Sequence, residues 1–129
     1  MKLPPELSDA ARRLAPERET EFEDFFSRVL ALVAVAVASM FEEYQDILRE
    51  STEAFLVDST EELARWSGLL AAGAITPRDY SALVRARSAI ARMEALSLAG
   101  MTRGEVSRFR SLLVESVVAA AIKVFLGRK

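Results

Sequence analysis

The stretch Phe22–Leu48, FEDFFSRVLALVAVAVASMFEEYQDIL, decides the fold class. Its apolar residues recur at Phe26, Leu30, Val33, Val37, Met40, Tyr44 and Ile47. The steps alternate four and three, which lays these side chains along one stripe of a helix. Phe22, Val29, Phe41, Leu48 and Phe55 widen the stripe. From Val29 to Phe41 no residue is charged, and Ser39 is the only polar one. A helix that is apolar all round must be enclosed by protein or lipid. Ala31, Ala34, Ala36 and Ala38 leave room for neighbouring helices to come close.

Two other readings of this stretch are weaker. The run VAVAVA alternates large and small, and Val favours strands, but Ala is depleted in strands and both flanks keep a helical period. A membrane span needs ~20 apolar residues. The uncharged run here is 13 residues, bounded by Arg28 and the Glu42–Glu43 pair.

Working outward, no glycine or proline occurs between Pro16 and Gly68, so nothing intrinsic breaks a long helix there. The expected helix runs from about residue 17 to 50, or on to 57. Unbroken from Glu17 to Val57 it would measure about 60 Å. Either it bends near Arg49–Thr52, or its end projects to meet another subunit. Pro16 fits the first helical turn. Glu17, Glu19, Glu21, Glu23 and Asp24 complement the positive end of the helix dipole, with an acidic docking site as the functional alternative. Upstream, residues 3–14 make a short helix with Leu3, Leu7, Ala11 and Leu14 on one face and Arg12 and Arg13 outward.

Downstream, Asp58 or Ser59 caps a helix over residues 60–72, with Glu61 or Glu62 completing the cap. Leu63, Trp66, Leu69 and Leu70 share one side of it, and Trp66 reads as core rather than as a stacking platform. Two junctions follow in the same grammar. At Gly73-Ala74-Ile75-Thr76-Pro77-Arg78-Asp79-Tyr80, a glycine ends one helix and Thr76 with Asp79 forms the capping box of the next. Ile75 and Tyr80 are placed as a hydrophobic staple. At Gly100-Met101-Thr102-Arg103-Gly104-Glu105-Val106, Thr102 and Glu105 repeat the box, and Met101 and Val106 the staple. The helix expected over 77–99 buries Tyr80, Leu83, Ala86, Ile90 and Met93. The last, over 103–126, is apolar on most sides, with a narrow polar strip of Arg108, Ser111, Glu115 and Lys123. Leu69, Gly73, Ile75, Thr76, Asp79 and Tyr80 resemble the short helix-G-x-I-T-x-x-[DE]-[FY]-helix hairpin found at the ends of many bacterial proteins. The resemblance is local and implies no function.

The 129 residues suit one domain, 1–129, and their apolar share of 51% exceeds that of an ordinary soluble domain. Arginine outnumbers lysine 14 to 3, the usage of a GC-rich bacterial genome. The N-terminal residues, with Pro4, Pro5 and several charges, lack the apolar core of a signal peptide, so the expected location is cytoplasmic. There is no cysteine and no histidine. Disulfides, thiolate zinc sites, Cys nucleophiles, Ser-His-Asp triads and the Glu-x-x-His motifs of di-iron bundles are thereby excluded. The five glycines form neither a P-loop nor a dinucleotide fingerprint. No cofactor, metal or catalytic residue is assigned.

Net charge is −2 but unevenly placed. Residues 1–64 carry 6 basic and 15 acidic side chains; residues 65–129 carry 11 basic and 4 acidic. Arg78, Arg85 and Arg92, with Arg87 at the edge, make a basic ridge on the 77–99 helix. A nucleic acid or an acidic partner is one use for it. Pairing with Glu42, Glu43, Asp46, Glu50 and Glu53 is the simpler one. Glu43, Asp46, Glu50 and Glu53 also lie roughly in line, and carboxylates of this kind suit hard cations such as Mg²⁺. Glu43-Tyr44-Gln45-Asp46 and Glu50-Ser51-Thr52-Glu53, taken singly, resemble the E-x-x-D and E-x-x-E motifs of all-α nucleotide pyrophosphatases of the MazG-like type. That family places its motifs on facing helices, whereas here both fall on one.

The sequence therefore reads as an all-α bundle of four main helices plus a short N-terminal one. A small bundle can enclose one helix fully, and here two are apolar nearly all round. The leading expectation is a non-enzymatic homo-oligomer, assembled through its long and C-terminal helices, or an interaction protein with another protein as partner. A metal-dependent nucleotide hydrolase and an arginine-based adaptor are the alternatives. A peripheral membrane association ranks below both.

Overall fold

The computed structural model describes residues 3–14, 18–91 and 93–127. It is all-α, with no strand among the described residues. The elements are α1 (Pro5–Leu14), α2 (Glu19–Met40), a 3-10 turn at Glu42–Tyr44, α3 (Gln45–Asp58), α4 (Thr60–Ala71), α5 (Pro77–Ala89), α6 (Glu94–Leu98), α7 (Arg103–Ala121) and a π-helical turn at Ile122–Leu126. The alternating run Leu32–Ser39 is helical throughout. The expected start of the long helix, at Pro16 and Glu17, lies outside the described residues.

A buried apolar cluster runs from Leu7 in α1 to Phe125 in the π turn. The inner side of α2 supplies Phe22, Phe25, Phe26, Val29, Leu30, Val33 and Val37. α7 packs antiparallel to α2. The Phe125 ring lies 5.3 Å from Phe22 and 5.6 Å from Phe25 at one end, and Arg108 stands 5.9 Å over the Phe41 ring at the other. On its second flank α7 packs against α5, while the π turn reaches α4. α1 lies across α2, α3 and α4. α4 and α5 are joined by a hydrogen bond between the buried Ser67 and Tyr80 hydroxyls, 3.0 Å apart.

The long helix is broken, but not where the sequence suggested. α3 is regular through Arg49–Thr52, where the buried Thr52 hydroxyl donates to the Leu48 carbonyl at 2.8 Å. The break falls at Phe41, whose backbone leaves the helical region (φ −138°, ψ 51°). α2 ends there, and α3 turns back along it. Phe41 is buried and Met40, expected on the buried stripe, is 54% exposed. No glycine or proline causes this. Folding back lets Leu48, Phe55 and Leu56 of α3 join the core that α2 already faces, which a straight rod would prevent. The Tyr44 hydroxyl donates to the Gly100 carbonyl at 3.5 Å and ties the corner to the start of α7.

The two glycine junctions form as read. Gly73 and Gly100 both take positive φ, at 76° and 104°. The amide of Ala74 donates to the Leu69 carbonyl and that of Met101 to the Leu96 carbonyl, closing both helix ends in the Schellman pattern. Both capping boxes, Thr76–Asp79 and Thr102–Glu105, are complete. The helix expected over 77–99 is nevertheless interrupted between Ala89 and Glu94. Val84 and Ser88 are buried in place of Ala86 and Ile90, and Ile90 is 70% exposed. Leu69, expected on the inner side of α4, is partly exposed, whereas Trp66 packs half-buried against the core.

Candidate interaction surface

The outer face of α2 changes character midway. In its N-terminal half this face is charged, with Asp24 and Arg28 paired at 3.1 Å. From Ala31 onward it is apolar. Ala31, Ala34 and Ala38 are exposed, Leu32 is 44% exposed and Val35 75%. Ser39 is its one polar residue. Burying a leucine or valine side chain fully is worth about 1.5–3 kcal/mol, so this face leaves most of that contribution unrealised at Val35 and part of it at Leu32. α2 was expected to be enclosed on all sides, and within this chain it is not.

α7, the other helix expected to need cover all round, finds it. Phe109, Leu113, Val114, Val117, Ala120 and Ala121 are buried, and so are Val124 and Phe125 of the π turn. The outward positions of the polar strip, Arg108, Glu115 and Lys123, are exposed as anticipated. Among the described residues of this segment only the edge of Ile122 leaves a large apolar side chain in the open, at 37%.

The carboxylate row is split by the corner. Glu43 belongs to the 3-10 turn, while Asp46, Glu50 and Glu53 lie on α3. Asp46 is exposed and paired with Arg49. Among the described residues no group of three or more His, Cys, Asp or Glu side chains is arranged to hold a metal ion.

The basic ridge keeps two of its arginines outward. Arg78 and Arg85 are exposed on α5, and Arg92 lies outside the described residues. Arg87 turns inward. Its Nε donates to the Ser59 hydroxyl at 3.0 Å and its Nη2 to the Asp58 carbonyl at 3.0 Å. It thus holds the carbonyl end of α3 and makes no ion pair with the α3 carboxylates. Ser59, read as a side-chain cap, accepts from Arg87 and makes no cap bond to α4. The ion pairs of α1, α2 and α3, Arg12–Asp9, Arg28–Asp24 and Arg49–Asp46, are local to one helix.

Arg110 does for α5 what Arg87 does for α3. It donates to the Ser88 carbonyl through Nη1 and to the Ala91 carbonyl at 3.1 Å through Nη2. Sequence reasoning missed both roles, because a guanidinium from a distant helix leaves no local pattern. Cationic donors at helix C-termini satisfy free carbonyls and complement the dipole.

Between α3 and the α5–α6 connection a groove of about 490 Å³ opens, lined by Ile47, Ala54, Phe55, Ile90 and Met93 with Glu50, Asp58 and Arg87 among them. Its arginine is already held by Ser59 and Asp58. Tyr80 is wholly buried, and burial pushes its phenol well above the ordinary tyrosine value, with the Ser67 hydrogen bond opposing this in part. The Asp79 carboxyl is lowered by its hydrogen bonds from the Thr76 backbone and side chain. Both shifts belong to structural contacts.

Compared with known proteins, the chain matches no family model, no curated protein and no solved structure. No helix among the described residues is long and apolar enough to cross a membrane.

Proposed function

We propose that this chain is a non-enzymatic assembly protein, a helical bundle that associates with copies of itself through the outer face of α2. One observation carries the reading: the exposed apolar face made by Ala31, Leu32, Val35 and Ala38, with Leu32 and Val35 at its centre. Contiguous exposed apolar surface of this kind marks association sites. The C-terminal helix, offered by the sequence as a second contact, is covered within the chain and drops out of the interface.

Light scattering over a concentration series tests this, with Val35→Glu as the control variant. Wild-type protein should gain mass with concentration, and Val35→Glu should stay monomeric at the same concentrations. A wild-type monomer throughout the series would overturn the reading.

A further inference from the structure

We propose that the groove between α3 and the α5–α6 connection binds a free α-amino acid with a large apolar side chain. The ligand carboxylate sits on Arg87, its ammonium on Asp58, and its side chain along the groove. The site is independent of the self-association reading and uses no residue of the outer face of α2.

Two contacts fix the direction of the groove. Arg87 meets Ser59 at the end of α3, and Tyr44 meets Gly100 at its start. The chain from Arg87 to Gly100 therefore runs back along α3. The α3 side of the groove extends from Ile47 to Asp58, about 16 Å along the axis. Asp58, Ser59 and Arg87 make one end polar, and beyond it the lining is chiefly Ala54, Phe55, Ile90 and Met93. Ile90 is 70% exposed and gains cover from an apolar side chain laid beside it. The volume of about 490 Å³ suits a small molecule, and such sites pair a mostly apolar lining with a few orienting polar groups.

The polar end holds opposite charges that do not satisfy each other. The Arg87 side chain is half-buried. Its Nε and Nη2 donate to two neutral oxygens, the Ser59 hydroxyl and the Asp58 carbonyl, which fixes the plane of the guanidinium. Among the described residues, Nη1 has no acceptor and no carboxylate pairs with Arg87. The edge formed by Nη1 and the second proton of Nη2 is thus open to a carboxylate, which a guanidinium takes in a two-pronged grip. The Asp58 carboxylate is exposed and makes no ion pair among the described residues. Its own backbone carbonyl is what Arg87 holds, so the anion and the cation stand side by side. An α-amino acid carries its opposite charges just as close together. Glu50 also lines the groove, about 12 Å along α3 from Asp58, and disfavours a second carboxylate on the ligand.

Titration calorimetry on the full chain tests this with L-phenylalanine, phenylpropionate, phenethylamine and L-glutamate. Phenylalanine should bind at millimolar concentration. Phenylpropionate lacks the ammonium and phenethylamine the carboxylate, and each should bind about tenfold more weakly. Asp58→Asn should bring phenylalanine down to the affinity of phenylpropionate and leave phenylpropionate unchanged. Ala54→Trp fills the groove from an exposed position and should abolish binding while keeping the wild-type unfolding midpoint. Absence of phenylalanine binding to the wild-type chain would overturn the proposal. Equal affinity for phenylpropionate, or for glutamate, would overturn it too, as would phenylalanine binding undiminished in Ala54→Trp.

Discussion

α2 and α7 are apolar over similarly wide arcs, yet one is wrapped by its own chain and the other is not. α7 lies between α2 and α5, and the π turn at its end packs on α4, so the outward positions left to this segment are mostly polar, with Ala119 and the edge of Ile122 the apolar ones. α2 is covered by α1, α3 and α7 on its inner side and flanks, and its outer side from Ala31 to Ser39 stays bare. The width of an apolar arc states how much cover a helix needs. The number of neighbours that can reach it decides whether that cover is internal. In a bundle of this size one helix takes the central place.

The largest effect should come from the wrapped side. Phe125→Ala removes a ring packed on Phe22 and Phe25 and should cost about 3–5 kcal/mol in urea unfolding. That loss should be equal at low and high protein concentration. A near-wild-type midpoint would show that the π turn is not part of the core.

Next comes alkaline pH. The folded state holds the Tyr80 phenol neutral above its ordinary value of 10.0. Its contribution is complete below pH 10 and is lost as pH rises beyond it, because the unfolded chain releases that proton first. Stability measured from pH 8 upward should fall above about pH 10, and Tyr80→Phe should flatten the fall. An unchanged slope in the variant would assign the loss to other groups.

Arg110→Ala leaves the Ser88 and Ala91 carbonyls without their guanidinium and should destabilise by about 1–3 kcal/mol. Hydrogen exchange should quicken at the end of α5 before it does in α2. Smallest in stability, and sharpest for the comparison, is Val35→Glu. In dilute, monomeric protein it should shift unfolding by no more than about 0.5 kcal/mol. A loss of several kcal/mol would mean that the outer face of α2 is covered after all.

Much of this was legible in the sequence, and the reason differs by region. The Gly73–Tyr80 and Gly100–Val106 junctions could be read residue by residue, because a positive-φ glycine, a capping threonine and a carboxylate three residues on act within one turn of chain. The inner stripe of α2 from Phe22 to Val37 was legible because periodicity is also local. The breaks at Phe41 and after Ala89 were not. Neither has a glycine or proline, and each is held by groups far away in sequence: Arg108 over Phe41, Tyr44 on Gly100, and Arg110 on Ser88 and Ala91. The candidate face was half legible. Its apolar character is printed between Val29 and Phe41, but its exposure depends on which flanks the other helices occupy. For the same reason Arg87, read at the edge of a basic ridge, is engaged at a helix end.

The sequence by itself determined the all-α class, the ends of helices that cap themselves, and the demand of two helices for wide apolar cover. Those are consequences of backbone geometry and side-chain spacing over a few residues. Only the tertiary structure decided where the long helix folds back and which of the two apolar helices is enclosed. Both are set by competition among helices for a limited core, and α7 occupies the place that leaves the outer face of α2 uncovered.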